Sequence, residues 1–571
     1  MTASTPNRRI QSMTVSITFF VLVLFGISLS NSSAEPTKEN LAPQEQLRLG
    51  ERIYREGILS SGESMQAVIK GDISVPGTSF ACVSCHLRSG IGSYEGGVVT
   101  PPINGSRLFQ PLKMEYKRSE TDQKYFPTVL VRPAFSDETL AKALRRGIDP
   151  TGKTLNPVMP RYILGDTDMA LLISYLRTLS AQFSPGASDT TLNFATVITD
   201  DVPPEQYEAM LAPLEQYVQH KNSMINLFKK EKRSERMAAV MLNSAELMYK
   251  KMTLSRWMLK GAPETWRSQL EEYYRKQPVF ALVGGISHGD WKPIHDFSEA
   301  HQLPCLFPQT DFPVISESDW YTLYLSKGYY QEGEGAARYL NNRDELSKGG
   351  KVLQLVRASH DSQALSQGFL ETWRELGHDT PVTIPLNAGQ PVSKEYLQQL
   401  LEKAKPAAIL LWDDAGALSL LEQLATDVTH PVIAIVSGTQ QKTNLAAIPE
   451  KARVFTYITF PFRLPQDEQR NSIYIEPYKK NPKTDDAVDP ILKRSFIATQ
   501  MLTAALMDLR GNYYRDGFFD VIGMMADQKY PLYERLSFGP GQRYASKGCY
   551  IVQLGSGAKP DLIKKSDWVI H

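Results

Sequence analysis

Apolar residues recur along the chain in two different rhythms, and the change falls near residue 185. Before it, Glu45–Arg55 carries Leu47, Ile53 and Tyr54 at helical spacing, and Asp166–Leu179 repeats Met169, Leu172, Ile173 and Leu176 at intervals of three or four. Asp137–Arg146 predicts a third short helix, and Asp166-Thr167-Asp168 offers a cap to the one after it. The stretch from Gly57 to Gly105 is rich in glycine and proline. Ala181–Thr191 has the composition of a loop and suits a linker.

Beyond the linker, short apolar runs alternate with amphipathic segments. Leu192–Ile198, Val279–Val283, Val352–Val356, Ala407–Trp412 and Pro431–Val436 predict strands. Pro204–His220, Glu332–Leu340, Ser362–Leu376 and Lys394–Lys403 predict helices. This alternation predicts βαβ units and a parallel sheet covered on both faces. Asn222–Gln277 departs from it. It is long and charged and reads as helical, with Lys229-Lys230-Glu231-Lys232-Arg233 as a solvated face or a dock for an acidic partner. There is no internal repeat and no low-complexity tract.

The first 34 residues follow the pattern of a secretory leader: Arg8 and Arg9, then the apolar Val15–Ile27, then Ser32-Ser33-Ala34 at a cleavage position. The expected place is the periplasm, with no membrane span once the leader is cleaved and a membrane anchor if it is not. The expected division is a leader over 1–34, a first domain over 35–185 and a second over 186–571. With 63 basic and 62 acidic residues the net charge is +1, and no global charge excess points to nucleic acid.

Of the four cysteines, Cys305 and Cys549 either bridge or stay as two buried thiols. The other two lie in Cys82-Val83-Ser84-Cys85-His86. CxxCH is the covalent attachment motif for haem c: two thiols add to the porphyrin vinyl groups, and the adjacent histidine reaches the iron. A zinc half-site or a redox pair would share the CxxC, but zinc needs a second ligand pair. The reading is therefore one covalently attached haem c, with Cys82 and Cys85 as its thioethers and His86 as one axial ligand. Met159, held between Pro157 and Pro160, is the expected second axial ligand.

By these residues, 45–180 resembles the class I cytochrome c family. The resemblance implies a small all-α domain in which Gly50 and Tyr54 cross a terminal helix at Tyr175 and Leu176, and Pro101 or Pro102 orients the proximal imidazole. Arg88 and Arg107 are either partners of haem propionates or ordinary surface arginines. Residues 190–571 resemble the type I periplasmic binding proteins, the fold of branched-chain amino-acid receptors. That rests on Gly284-Gly285-Ile286-Ser287-His288, on the crossing toward Gly333–Leu340, and on Leu536–Arg543 followed by Cys549–Leu554. It implies a two-lobed α/β domain with parallel sheets and a cleft touched by Ser287, His288 and Thr310. The opposing loop, Arg357-Ala358-Ser359-His360-Asp361, differs from the family's usual one.

Two kinds of function follow. The first is periplasmic electron transfer to a redox partner protein, with the second domain sensing a small-molecule solute or docking a partner. The alternative is the haem-containing subunit of a periplasmic oxidoreductase whose substrate sits in the second-domain cleft. No nucleophile–base pair, metal triad or dinucleotide fingerprint supports chemistry in that cleft.

Overall fold

The computed structural model describes residues 41–570 except 116–128, 231–249, 348, 427–432, 443, 469–487, 510 and 559. The expected leader and Glu231-Lys232-Arg233 of the charge run lie outside the described residues.

The first body is built on two helices. α1, Pro43–Glu56, buries Leu49, Gly50, Ile53 and Tyr54 and stops at Gly57, whose φ of 68° gives a left-handed cap. Two short strands follow, β1 (Gln66–Ile69) and β2 (Ile73–Pro76). Then come α2, Asp137–Arg146, capped by Ser136, and β3, Arg161–Ile163. α3, Asp166–Thr178, closes the body. α1 crosses α3 closely. A side chain at Gly50 would run into the backbone of Leu171 and stand 2.7 Å from Tyr175 Cβ, and the Tyr54 and Tyr175 rings meet at 5.5 Å.

Two expectations change here. Gly165, not an aspartate, is the cap residue of α3, and Asp168 instead accepts from the Ser60 amide at 2.9 Å. The body is also not all-α. β2, β1 and β3 form an antiparallel sheet in that order, turned through Gly71 and Asp72 at positive φ.

The rest of the chain makes two lobes. Lobe 1 opens with β4 (Thr191–Thr199), α4 (Pro204–Lys230) and β5 (Lys251–Leu259). It continues with α5 (Trp266–Lys276), β6 (Ala281–Val283), α6 (Lys292–Ala300), β7 (Cys305–Leu306) and β8 (Thr322–Leu323). Its five strands are parallel, in the order β8-β7-β6-β4-β5. β5 corrects the helical reading of Asn222–Gln277. Met252, Trp257 and Leu259 are buried in an edge strand that the flanking charge obscured.

Lobe 2 runs through α7 (Tyr329–Asn341), β9 (Lys351–Arg357), α8 (His360–Glu375) and β10 (Val382–Leu386). Next are α9 (Lys394–Ala404), β11 (Pro406–Trp412), α10 (Ala417–Thr426), β12 (Ile433–Ser437) and β13 (Thr456–Phe460). The chain then returns to lobe 1 for α11 (Asp489–Leu509) and α12 (Arg515–Gly523), whose apolar residues share a core with Leu192 and Phe194. It ends in lobe 2 with β14 (Gly548–Leu554), β15 (Leu562–Lys564) and β16 (Val569–Ile570). Strands β10 to β13 are parallel, in the order β10-β9-β11-β12-β13, and β14 and β15 extend the sheet antiparallel. β12 is buried at every residue, as a doubly covered parallel strand requires. Cys305 in β7 and Cys549 in β14 sit buried and unbridged in different lobes.

The first body sits on lobe 1 through α12. Asp520 accepts from the Arg88 and Ser89 amides at 3.0 and 2.8 Å. Asp516 takes Arg55 at 2.8 Å and the Tyr321 hydroxyl at 3.4 Å, and the Arg88 guanidinium lies 4.1 Å over the Trp320 ring. Burial pushes the Asp520 carboxyl up to about 6, with Asp516 adding repulsion and the Ser89 and Arg88 amides opposing it. The folded chain therefore takes up this proton near pH 6, and an unfolded aspartate does so near about 3.9. Unfolding free energy is expected to fall as pH rises between those values, by at most about 3 kcal/mol from this group. Urea unfolding at pH 4, 5, 6 and 7 checks this: Asp520→Asn should flatten the slope, and parallel profiles would assign it elsewhere.

Candidate functional site

In a two-lobed fold of parallel sheets, loops at the carboxyl ends of the strands face the cleft. The lobe 1 edge is set by register. Ile286 bridges Ile198 on one side and Gln309 on the other, so the residues that follow, Thr199, Ser287 and Thr310, stand side by side. Gly284 and Gly285, at φ 64° and 98°, make the bend that carries Ser287 there. Ser287 is buried, and its hydroxyl accepts from the Gly289 amide at 3.1 Å. His288 is exposed and its Nε2 meets Gln206 at 2.6 Å. The Thr310 hydroxyl accepts from the Phe312 amide at 3.0 Å, which orders the loop leading to the hinge.

Lobe 2 faces this edge with two loops. After β9, Arg357 turns inward rather than into the cleft. It is buried against Asp413 at the end of β11 and donates to the carbonyls of Asn387 and Gln390. His360 is exposed and stacks on Phe312 across the lobes, with centroids 4.1 Å apart and planes within 4°. After β12, Gln440 donates to Asp361 at 2.7 Å and to the Ser362 hydroxyl at 2.9 Å. Glu332, fully buried on α7, accepts from the Ser437 hydroxyl at 2.9 Å and the Gly438 amide at 3.0 Å.

Sequence reasoning missed Glu332, Gln309, Gln440 and Arg494. Arg494 pairs with Asp311 at 3.1 Å across 183 positions, and no local pattern announces such a partner. Ser287, His288 and Thr310 lie along one sheet edge, just past Ile286 and Gln309.

The first body holds the CxxCH residues as follows. Cys82 is buried in the core that also contains Tyr54, Tyr162 and Leu172, and burial pushes its thiol up to about 12. Cys85 is exposed. His86 is buried, its Nδ1 lies 3.0 Å from the Pro101 carbonyl oxygen, and its Nε2 has no hydrogen-bond partner among the described residues. Burial lowers the imidazole to about 4, with the Pro101 bond opposing. Met159 is half-buried against the same core. Arg88 belongs to the contact with lobe 1, and the Arg107 carbonyl accepts from the buried Arg132. Among the described residues no group of three or more His, Cys, Asp or Glu is placed to hold a metal ion.

Comparison with known proteins places the chain. The profile of the periplasmic binding protein family matches residues 259–558, more than half of the sequence. Similar solved structures include an ABC transporter substrate-binding protein from Sphaerobacter thermophilus, at 12% identity and a TM-score of 0.47 over 66% of this chain and 98% of that one. A solute binding protein from Rhodopseudomonas palustris BisB5, in complex with 3,4-dihydroxy benzoic acid, shares 15% identity over 67% and 98%, at a TM-score of 0.45. A branched chain amino acid ABC transporter protein from Thermus thermophilus with bound valine shares 12% over 67% and 97%, at 0.44. No curated protein sequence matches.

The family match overturns the function read from Cys82–His86. A periplasmic electron carrier with haem c on Cys82, Cys85, His86 and Met159, serving a redox partner, gives way to the binding-protein role that the family's description states. The oxidoreductase-subunit alternative, which needed the same haem, goes with it. Among the described residues no helix is long and apolar enough to cross a membrane. With its two lobes, its three aligned strand ends and a family profile spanning both, the chain belongs to the periplasmic binding protein family.

Proposed function

We propose that the chain is a receptor for a small organic solute, held between lobe 1 at Ser287, His288 and Thr310 and lobe 2 at the loops after β9 and β12. The observation that carries this is the alignment of Thr199, Ser287 and Thr310 on one sheet edge opposite His360 and Gln440. Ser287 and Thr310 supply short hydroxyls, and the Phe312–His360 stack sets how near the lobes stand. Residues 1–34 direct export to the periplasm in this reading, 35–185 form one domain and 186–571 the receptor.

The finer description of the small domain, a class I cytochrome c-like helix crossing, concerns its fold alone. It is supported by the close approach at Gly50 and by the Tyr54–Tyr175 contact. No electron-transfer role is attached to it.

Thermal unfolding of the full chain against amino acids, amides, short carboxylates, alcohols and aromatic acids tests the receptor reading. A solute present at 100 times its Kd should add about 2.7 kcal/mol, a plain upward shift in Tm. Paired Ser287→Ala and Thr310→Val should shrink that shift. No shift across the panel in a cooperatively folded chain would overturn the proposal.

A further inference from the structure

Between the lobes, the polar groups near the start of α7 are unevenly matched. Tyr329 and Glu332 lie three residues apart on one face of α7. The Tyr329 hydroxyl is held far above the ordinary phenol range, first by burial and then by Asp311, Glu332 and Asp361, with Arg494 opposing. Three acidic side chains from both lobes, Asp311, Glu332 and Asp361, thus act on one tyrosine against one guanidinium, Arg494. The neighbouring cations are already committed, Lys327 to Glu334 at 2.7 Å and Lys493 to Asp489 at 2.6 Å.

The unmet hydrogen bonds have the same bias. Glu332 uses Oε2 for Ser437, Gly438 and Thr459, and its Oε1 has no partner among the described residues. Gln440 spends its amide nitrogen on Asp361 and Ser362, and its Oε1 has no partner among the described residues. Gln309, 4% exposed, donates to the Ile491 carbonyl, one turn before Arg494, and its Oε1 likewise has none among the described residues. Among the described residues, the buried unpartnered atoms of this cluster are these three acceptors and one donor, Arg494 Nε. Buried acceptors left without donors are destabilising, and a buried carboxylate with excess like charge around it more so.

We propose that the solute this cleft takes is a small organic cation rich in N–H donors, a primary amine or amidinium, seated among Glu332, Asp361, Gln309 and Gln440. This rests on the receptor reading above and adds the sign and hydrogen-bonding character of the ligand. The N–H groups would fill the three open acceptors, and the positive charge would offset the surplus carboxylates. A monoanionic solute would meet the opposite of what it needs.

The test uses the full chain and calorimetric titration with n-butylamine and 1,4-diaminobutane, beside butyrate, n-butanol and valine. Binding of either amine, weakened at least tenfold by Asp361→Asn and by raised salt, is the expected result. Glu332→Gln should weaken it as well, and Asp361→Asn keeps the test informative where the buried change unfolds the chain. Binding of butyrate, butanol or valine without the amines would overturn the ligand class and leave the receptor reading standing. Amine binding unchanged in a folded Asp361→Asn would also overturn it. Silence from all five probes, with shifts from other solutes, would sink the ligand class alone; silence from every solute would sink both readings.

Discussion

Arg515 is the residue on which the arrangement of the chain turns. Its guanidinium is buried at the start of α12 and donates to the carbonyls of Pro185, Val279, Phe280, His301 and Gln302 and to the Tyr274 hydroxyl. These partners come from the linker, from the entry to β6 and from the turn before β7. Burial lowers the group's pKa, opposed by the phenols beside it. A charge out of water is tolerable only when its donors are met, and carbonyl dipoles do that here in place of a carboxylate. The same helix presents Asp516, the next residue, and Asp520, one turn beyond it, to the first body. The segment that locks the lobe 1 sheet therefore also seats the small domain.

The hinge shapes the cleft. Gly328, at φ 58°, packs so close to the Asp311 carbonyl that a side chain there would collide with it. The chain enters α7 directly from that contact, which brings Tyr329 and Glu332 next to the loop that follows β7. On the far side α7 packs on α8 through Gly333 and Gly368, whose lack of side chains lets the helix backbones touch.

Much of this could be read from the sequence. The buried parallel strands announce themselves: Ala407–Trp412 is apolar throughout and Val352–Val356 is interrupted only by Gln354, because both faces are covered. The loop carrying Ser287 follows from the strand end marked by Gly284-Gly285. The edge strand β5 did not, because it pairs on one side only and its polar residues sit inside a charged, helix-like stretch. The small sheet of the first body was hidden in strands of three and four residues. Cys82–His86 was legible as a motif and gave a function that the family of the larger domain does not share. The cleft acceptors could not be seen at all: Gln309 meets Ile491 across 182 positions and Arg494 meets Asp311 across 183, so only the folded chain brings them together.

The central claim is that solute binds between the two lobes, touching both. Hydrogen exchange with the most stabilising solute at saturation measures that directly. Slowed exchange is predicted at 284–290 and 309–313 of lobe 1 together with 357–361 and 437–441 of lobe 2, and unchanged exchange in the loop at Arg88 and Ser89. Protection confined to one lobe, or centred on the first body, would contradict it.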